Sequence, residues 1–244
     1  MNREGDSLKV VDTATKNTDE KETQVLITLQ DEAKKKAPKI LTPKETILEQ
    51  KREVSLKEEK DNKRYYVYVK GDVVLTTDSV SEAIIMANSQ MGVVIGENQQ
   101  YVWKRSRKTA QAAFNDIVVG EEDRGAGSIA QCVNAILEKE GINISVSALI
   151  SQGETPKQIL LNTLKDAAVL DLTGCTVDEI LYYVSNGYPV FAMTGSSDAV
   201  LVVGYDANNV VLYDPAMGQT YKRTTADADE MFFNAGNIFF TYQK

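Results

Sequence analysis

From Lys63 onward the spacing of apolar positions changes every few residues, and each change predicts a short element. Tyr65-Tyr66-Val67-Tyr68-Val69 has the aromatic and β-branched content of a strand, Lys70-Gly71 that of a turn, and Asp72-Val73-Val74-Leu75-Thr76 that of a hairpin partner. Asp78 or Ser79 then caps a helix in which Val80, Ala83, Ile84, Ala87 and Met91 share one face. Gly92 closes it, Val93-Val94-Ile95 gives a third strand, and Asn98-Gln99 turns the chain into a fourth at Tyr101-Val102-Trp103-Lys104. Residues 61–106 thus read as a small ββαββ domain, with little core of its own and a need to lean on the C-terminal block of the chain.

The pattern then shifts to helices followed by strands over 107–244. This block begins near Ile117-Val118-Val119. Gly125-Ala126-Gly127-Ser128 leads into a helix carrying Ile129, Cys132, Val133, Ile136 and Leu137 on one face, ended by Gly141. Thr155-Pro156-Lys157-Gln158 is a cap, a proline at the first helical position and a glutamine that reaches back, and Thr176-Val177-Asp178-Glu179 opens a third helix, which Asn186-Gly187 closes. Strands are expected at Pro189–Met193, Ala199–Tyr205, Val210–Asp214, Tyr221–Arg223 and Ile238–Tyr242, with a short helix near Ala226–Phe233. Helices first and an antiparallel sheet after them is an α+β layout.

Composition changes the picture mainly for residues 1–60, which hold 13 Lys/Arg, 13 Asp/Glu and no aromatic residue. Such a segment buries too little surface to offset its ordering entropy and reads as a charged linker or disordered tether. Two local exceptions stand out: strand propensity at Val25–Leu29, suited to a sheet edge, and a helix start at Thr42-Pro43-Lys44-Glu45. The net charge of −8 argues against a nucleic-acid partner or a polybasic membrane surface. No apolar run is long enough to span a membrane, and no apolar signal segment comes after Met1. The chain has no histidine, so no Ser-His, Cys-His or His-metal chemistry is available to it, and two cysteines make neither a disulfide framework nor a Cys-rich zinc site.

Two motifs invite a cofactor and lose it on context. Gly125-x-Gly127-x-x-Ala130 lacks the preceding strand and the parallel βαβ unit of a dinucleotide fingerprint. Asp206, Asn208, Asn209 and Asp214 have the look of a scattered calcium loop, but an Asx-rich hairpin turn needs no metal. Neither a cofactor nor a metal is expected.

Three further stretches, Arg124-Gly125-Ala126-Gly127-Ser128-Ile129-Ala130, Asp198-Ala199-Val200-Leu201-Val202-Val203-Gly204-Tyr205-Asp206 and Tyr213-Asp214-Pro215-Ala216, carry a resemblance in their order and spacing. Residues 117–244 resemble the C39-type cysteine peptidase domains of the papain-like fold. The resemblance implies a nucleophile position at Arg124, a base position at Asp198 and an orienting carboxylate at Asp214. It also implies a helical lobe against an antiparallel sheet, and it suggests an exported, extracellular or cell-envelope protein. The chemistry departs from the family at the first two positions, and the residues just before Arg124 include no glutamine to stabilise an oxyanion. A carboxylate with no imidazole to orient does not make a catalyst.

The expectation is therefore a catalytically inactive peptidase-like module that binds a peptide, a glycan or a partner protein. The alternatives are a structural or assembly component and, least favoured, a hydrolase using Ser128 or Ser197 with a carboxylate. Arg124 and Asp198 are expected to meet as a salt bridge, with Asp214 as a second acceptor. Cys132 is expected in the core, Cys175 before a helix cap, and their pairing stays open. Tyr66, Tyr68, Tyr101 and Trp103 are the ligand-binding candidates, since exposed aromatics on a small sheet make glycan and peptide surfaces.

Overall fold

The computed structural model describes residues 63–106, 108, 110–112 and 117–244. The strand expected at Val25–Leu29 and the helix expected at Thr42 lie outside the described residues, as does the rest of 1–60.

The first strands, β1 (Tyr65–Val69) and β2 (Asp72–Thr77), form the hairpin, and helix α1 (Val80–Ser89) comes next with Ser79 Oγ accepting from Glu82 N. β3 (Val93–Gly96) and β4 (Tyr101–Lys104) complete an antiparallel sheet of order β2-β1-β3-β4. Val67, Val94 and Trp103 line up across three strands and are buried, so the odd residues of β1 face α1 and Tyr66 and Tyr68 face away. Met91 departs from the sequence reading. It lies past the helix at φ 54 and is 82% exposed, because the chain must reverse at once. Gly92 comes next, where a Cβ would lie 2.6 Å from Tyr68 O, a close approach that only glycine permits.

The second part begins with β5 (Gln111–Ala112) and a single turn of 3-10 helix at Glu121–Asp123. Ile117–Val119, the expected start of the second block, runs as irregular chain. Helices α2 (Ser128–Lys139), α3 (Val146–Ser151) and α4 (Pro156–Thr163) come next, then β6 (Ala168–Asp171) and α5 (Val177–Ser185). Both expected capping boxes form, Thr155 with Gln158 and Thr176 with Glu179. β7 (Val190–Met193), β8 (Ala199–Tyr205), β9 (Asn209–Asp214), β10 (Gln219–Thr224), α6 (Thr225–Asn234) and β11 (Phe239–Gln243) finish the described chain. The sheet order is β10-β9-β8-β7-β11-β6, every pair antiparallel, and β5 adds to β8 at Gln111↔Tyr205. β5 passes so near that a Cβ on Gly204 would lie 2.8 Å from Gln111 O.

This is the α+β arrangement expected for 107–244, helices against an antiparallel sheet. All seven residues of β8 are buried because both faces are covered. Ala199, Leu201 and Val203 join Cys132, Ile136, Val146 and Ile159 in the core beneath α2–α4. Val200 and Val202 join Ile180 and Tyr183 of α5, and that second core runs on into Val67, Ala83 and Trp103 of the first sheet. The described residues form one compact unit, and the ββαββ part shares its apolar surface with the larger sheet. Trp103 Nε1 donates to Glu179 O (3.0 Å) and Asn88 Nδ2 to Glu179 Oε1 (2.9 Å), so α5 gives the shared core its polar fastenings.

Candidate functional site

The stretch that leads into α2 is fixed by a buried carboxylate that local sequence does not single out. Asp123 has no exposed surface; it accepts from Val146 N and Ser147 N at 2.8 Å and from Asn134 Nδ2 at 3.0 Å. Asn134 in turn accepts from Gly120 N (2.6 Å) and donates to Ile144 O (3.2 Å). Among Glu121, Glu122, Asp123 and Arg124, sequence shows only a run of charges; the structure buries Asp123 and leaves the other three exposed. The signal that was available is the helix start it serves: the free N–H groups at the start of α3 need acceptors.

The two ends that a papain-like site brings together do meet, since Ala199 N, at the start of β8, donates to Ser128 Oγ, at the start of α2 (3.0 Å). The side chains expected to replace the catalytic pair do not. Arg124 is exposed and forms no ion pair with Asp198 or Asp214 among the described residues. Asp198 sits in the exposed β7–β8 turn, where its carbonyl accepts from Thr194 N (2.8 Å) and its carboxylate from Ser197 Oγ (3.4 Å). Asp214 turns its carboxylate onto Ala216 N (2.8 Å), closing the turn through Pro215. The expected bridge fails because both exposed partners have water and local turns to satisfy them, and bringing long side chains together gains little there.

Arg124 instead lines a cleft of about 740 Å³ between Ile117–Val119 and the loop after β9. Val118 (58% exposed) and Met217 (54%) form apolar lips, and Tyr213, Pro215 and Gln131 add to the lining. Cys132, in the second turn of α2, is fully buried, and burial first, then the Asp214 charge, pushes its thiol well above the usual range. Cys175 is also buried and its thiol also raised, by burial and then by Glu179 and Asp171. Both cysteines are free thiols, which answers the pairing left open by sequence. Neither is a thiolate at neutral pH, and no imidazole exists to make it one.

The four aromatic candidates separate into two groups. Tyr66 and Tyr68 are half-buried on the outer face of the first sheet, and Tyr101 is 51% exposed, with Lys104 Nζ 5.1 Å from its ring centroid. Trp103 is 2% exposed and packs against Tyr182 at a centroid distance of 6.3 Å. It is a core residue and not part of a ligand surface. The irregular pairing of β3 with β4 explains the split: Tyr101 pairs with Ile95 on the outer face and Trp103 with Val94 on the inner one. The turn at Asp206 is held by its own carboxylate, which accepts from Asn208 N (3.0 Å), Asn209 N (2.9 Å) and Lys222 Nζ (2.8 Å). Lys222 first, then the turn's amides, holds that carboxyl far below its ordinary value. Among the described residues no group of three or more His, Cys, Asp or Glu is placed to hold a metal ion.

No family model and no curated protein matches the sequence. In three dimensions the chain is similar to the crystal structure of a candidate C39-like peptidase from Bacillus anthracis, with a TM-score of 0.47 and 16% identity, over 56% of this chain and 98% of that one.

Proposed function

We propose that the chain is a non-catalytic, peptidase-like module that binds an extended polypeptide segment, from a free peptide or a partner protein, in the Arg124 cleft. The observation that carries the reading is the exchange at the start of α2: an exposed guanidinium with no ion-pair partner among the described residues stands beside apolar lips. An unpaired, water-accessible arginine favours a carboxylate, which it takes bidentately, and Val118 and Met217 favour an apolar side chain next to it. The module's inactivity rests on chemistry: the thiol near the cleft is buried and protonated, and the base is missing from the whole chain.

Fluorogenic peptides and casein, incubated with the full chain, test the catalytic half; no turnover above buffer is expected, and turnover abolished by a thiol reagent overturns it. A random peptide library enriched on the immobilised chain tests the binding half. Enrichment of segments with an acidic group next to an apolar residue, lost in Arg124→Glu, is the expected result.

A further inference from the structure

A second concavity, of about 370 Å³, opens where the edge strands of the two sheets approach each other, β4 from the first and β6 from the second. Its lining sets an apolar floor beside a ring of hydrogen-bonding side chains. Tyr65, Val102 and Leu170 are buried and give the floor, and half-exposed Tyr101 lines it beside them. Burial holds the Tyr65 phenol up at about 12, so it is a neutral hydroxyl at any physiological pH. The polar lining is supplied by three amides, Asn98, Gln100 and Gln243, by the carboxylates of Asp166 and Glu97, and by the cations Lys63, Arg64 and Lys244.

The amides are already oriented by the protein. Asn98 Oδ1 accepts from Gln100 N (3.1 Å) and Asn98 Nδ2 donates to Gln100 Oε1 (3.2 Å). Gln243 Nε2 donates to Tyr101 O (3.0 Å), which ties the end of β11 to the start of β4. Gln100 Nε2 and Gln243 Oε1 then remain without a hydrogen-bond partner among the described residues, a donor and an acceptor held in place by the other atom of the same amide.

We infer that this pocket is a saccharide site, taking a short stretch of a neutral or amide-substituted glycan. A sugar hydroxyl both donates and accepts, so paired planar amides and carboxylates suit neighbouring hydroxyls. The C–H face of a pyranose ring suits an aromatic or apolar wall. Charges of both signs line the pocket, Asp166 and Glu97 beside Lys63, Arg64 and Lys244, and this polar rim disfavours a purely apolar ligand. The inference does not depend on the Arg124 cleft, which lies among different elements.

The test is a titration of the isotopically labelled full chain with chitotetraose, maltotetraose and cellotetraose, each to millimolar concentration, followed by amide NMR. At least one sugar is expected to shift the side-chain amide signals of Gln100 and Gln243 and the backbone signals of Gly96–Val102. Tyr101→Ala and Gln100→Ala replace exposed groups, and each is expected to weaken that response at least tenfold with the spectrum otherwise unchanged. No response to any of the three sugars overturns the proposal, as does a response that survives both substitutions. A response centred on Val118 and Gln131 overturns it too, and an acidic peptide that shifts the Gln100 and Gln243 signals where the sugars do not assigns the pocket to a protein partner.

Discussion

At the Arg124 cleft the backbone is held by a buried carboxylate and an asparagine, whereas at the Tyr101 pocket it is held by apolar packing and by long-range hydrogen bonds from the Trp103 indole and the Gln243 amide. The first support is polar and short-range: Gly120, Asp123, Asn134, Ile144, Val146 and Ser147 all lie within one stretch of chain. The second is apolar and long-range, with Trp103 reaching Glu179 and Tyr182 and Gln243 reaching Tyr101. The start of α2 has its own scaffolding, because Asp123 serves the fold whatever Arg124 does beside it. A pocket between two sheet edges has no such private support and depends on the docking of the sheets.

The comparison can be broken at its apolar end. Trp103→Ala removes the largest fully buried side chain and its hydrogen bond to Glu179 O, and is expected to destabilise by about 3–5 kcal/mol. Circular dichroism in urea measures this, and a sugar response lost together with a retained peptide response sharpens the distinction. Loss of both, at a urea concentration where the chain is still folded, breaks it.

At the polar end, Asp123→Ala strands two amides at the start of α3 and takes away one of the Asn134 side chain's three partners, at a cost of about 3 kcal/mol. Asp123→Asn keeps the size but turns one acceptor into a donor, and about half that cost is expected. Hydrogen exchange at Val146 and Ser147 should rise in both variants while that of β3 and β4 stays unchanged.

The cysteines give a smaller, sharper reading of the cleft. Cys132 and Cys175 are expected to react with a maleimide only after denaturation, since burial keeps both as thiols. Fast native labelling of Cys132 would mean that the floor of the cleft opens to solvent.

Elements with their own punctuation were legible in the sequence: the capping boxes at Thr155 and Thr176 and the apolar face around Cys132 are local signals. Those without it were not. β6 is four residues whose strand state comes from pairing with β11, some seventy positions on. α3 is under two turns and borrows its N-terminal acceptors from Asp123. Ile117–Val119 reads as a strand by composition, yet no neighbouring strand is offered to it, and it lines the cleft instead. At the site, Asp214 ends β9 while Arg124 lies ahead of α2 and Asp198 in the turn ahead of β8, and spacing says nothing of where an exposed side chain points. Even alternation would put Trp103 and Tyr101 on one face, and one irregular register puts them on opposite faces.

The two regions are joined by α2, whose first turn borders the cleft and whose C-cap residue, Glu140, holds Lys244 at the rim of the pocket. Glu140 also accepts from the Tyr242 hydroxyl, and Lys139 Nζ lies 3.4 Å from its carboxylate. Burial opposes its charge, but the hydrogen bonds from Lys244 and Tyr242, with the Lys139 charge, outweigh it and hold the carboxyl below its ordinary value. A lowered native value means that the unfolded chain takes up the proton first. The contribution is therefore complete above the ordinary carboxylate range, near pH 4.3, and lost as pH falls through the native value. Glu140→Gln is accordingly expected to be less stable than the parent at pH 7, by about 0.5–1 kcal/mol for a pair this close to solvent. The two unfolding curves should converge as the pH drops below the native value. A difference that persists unchanged into acid would mean that Glu140 acts by packing alone, and that the far end of α2 is not the electrostatic tether of the pocket rim.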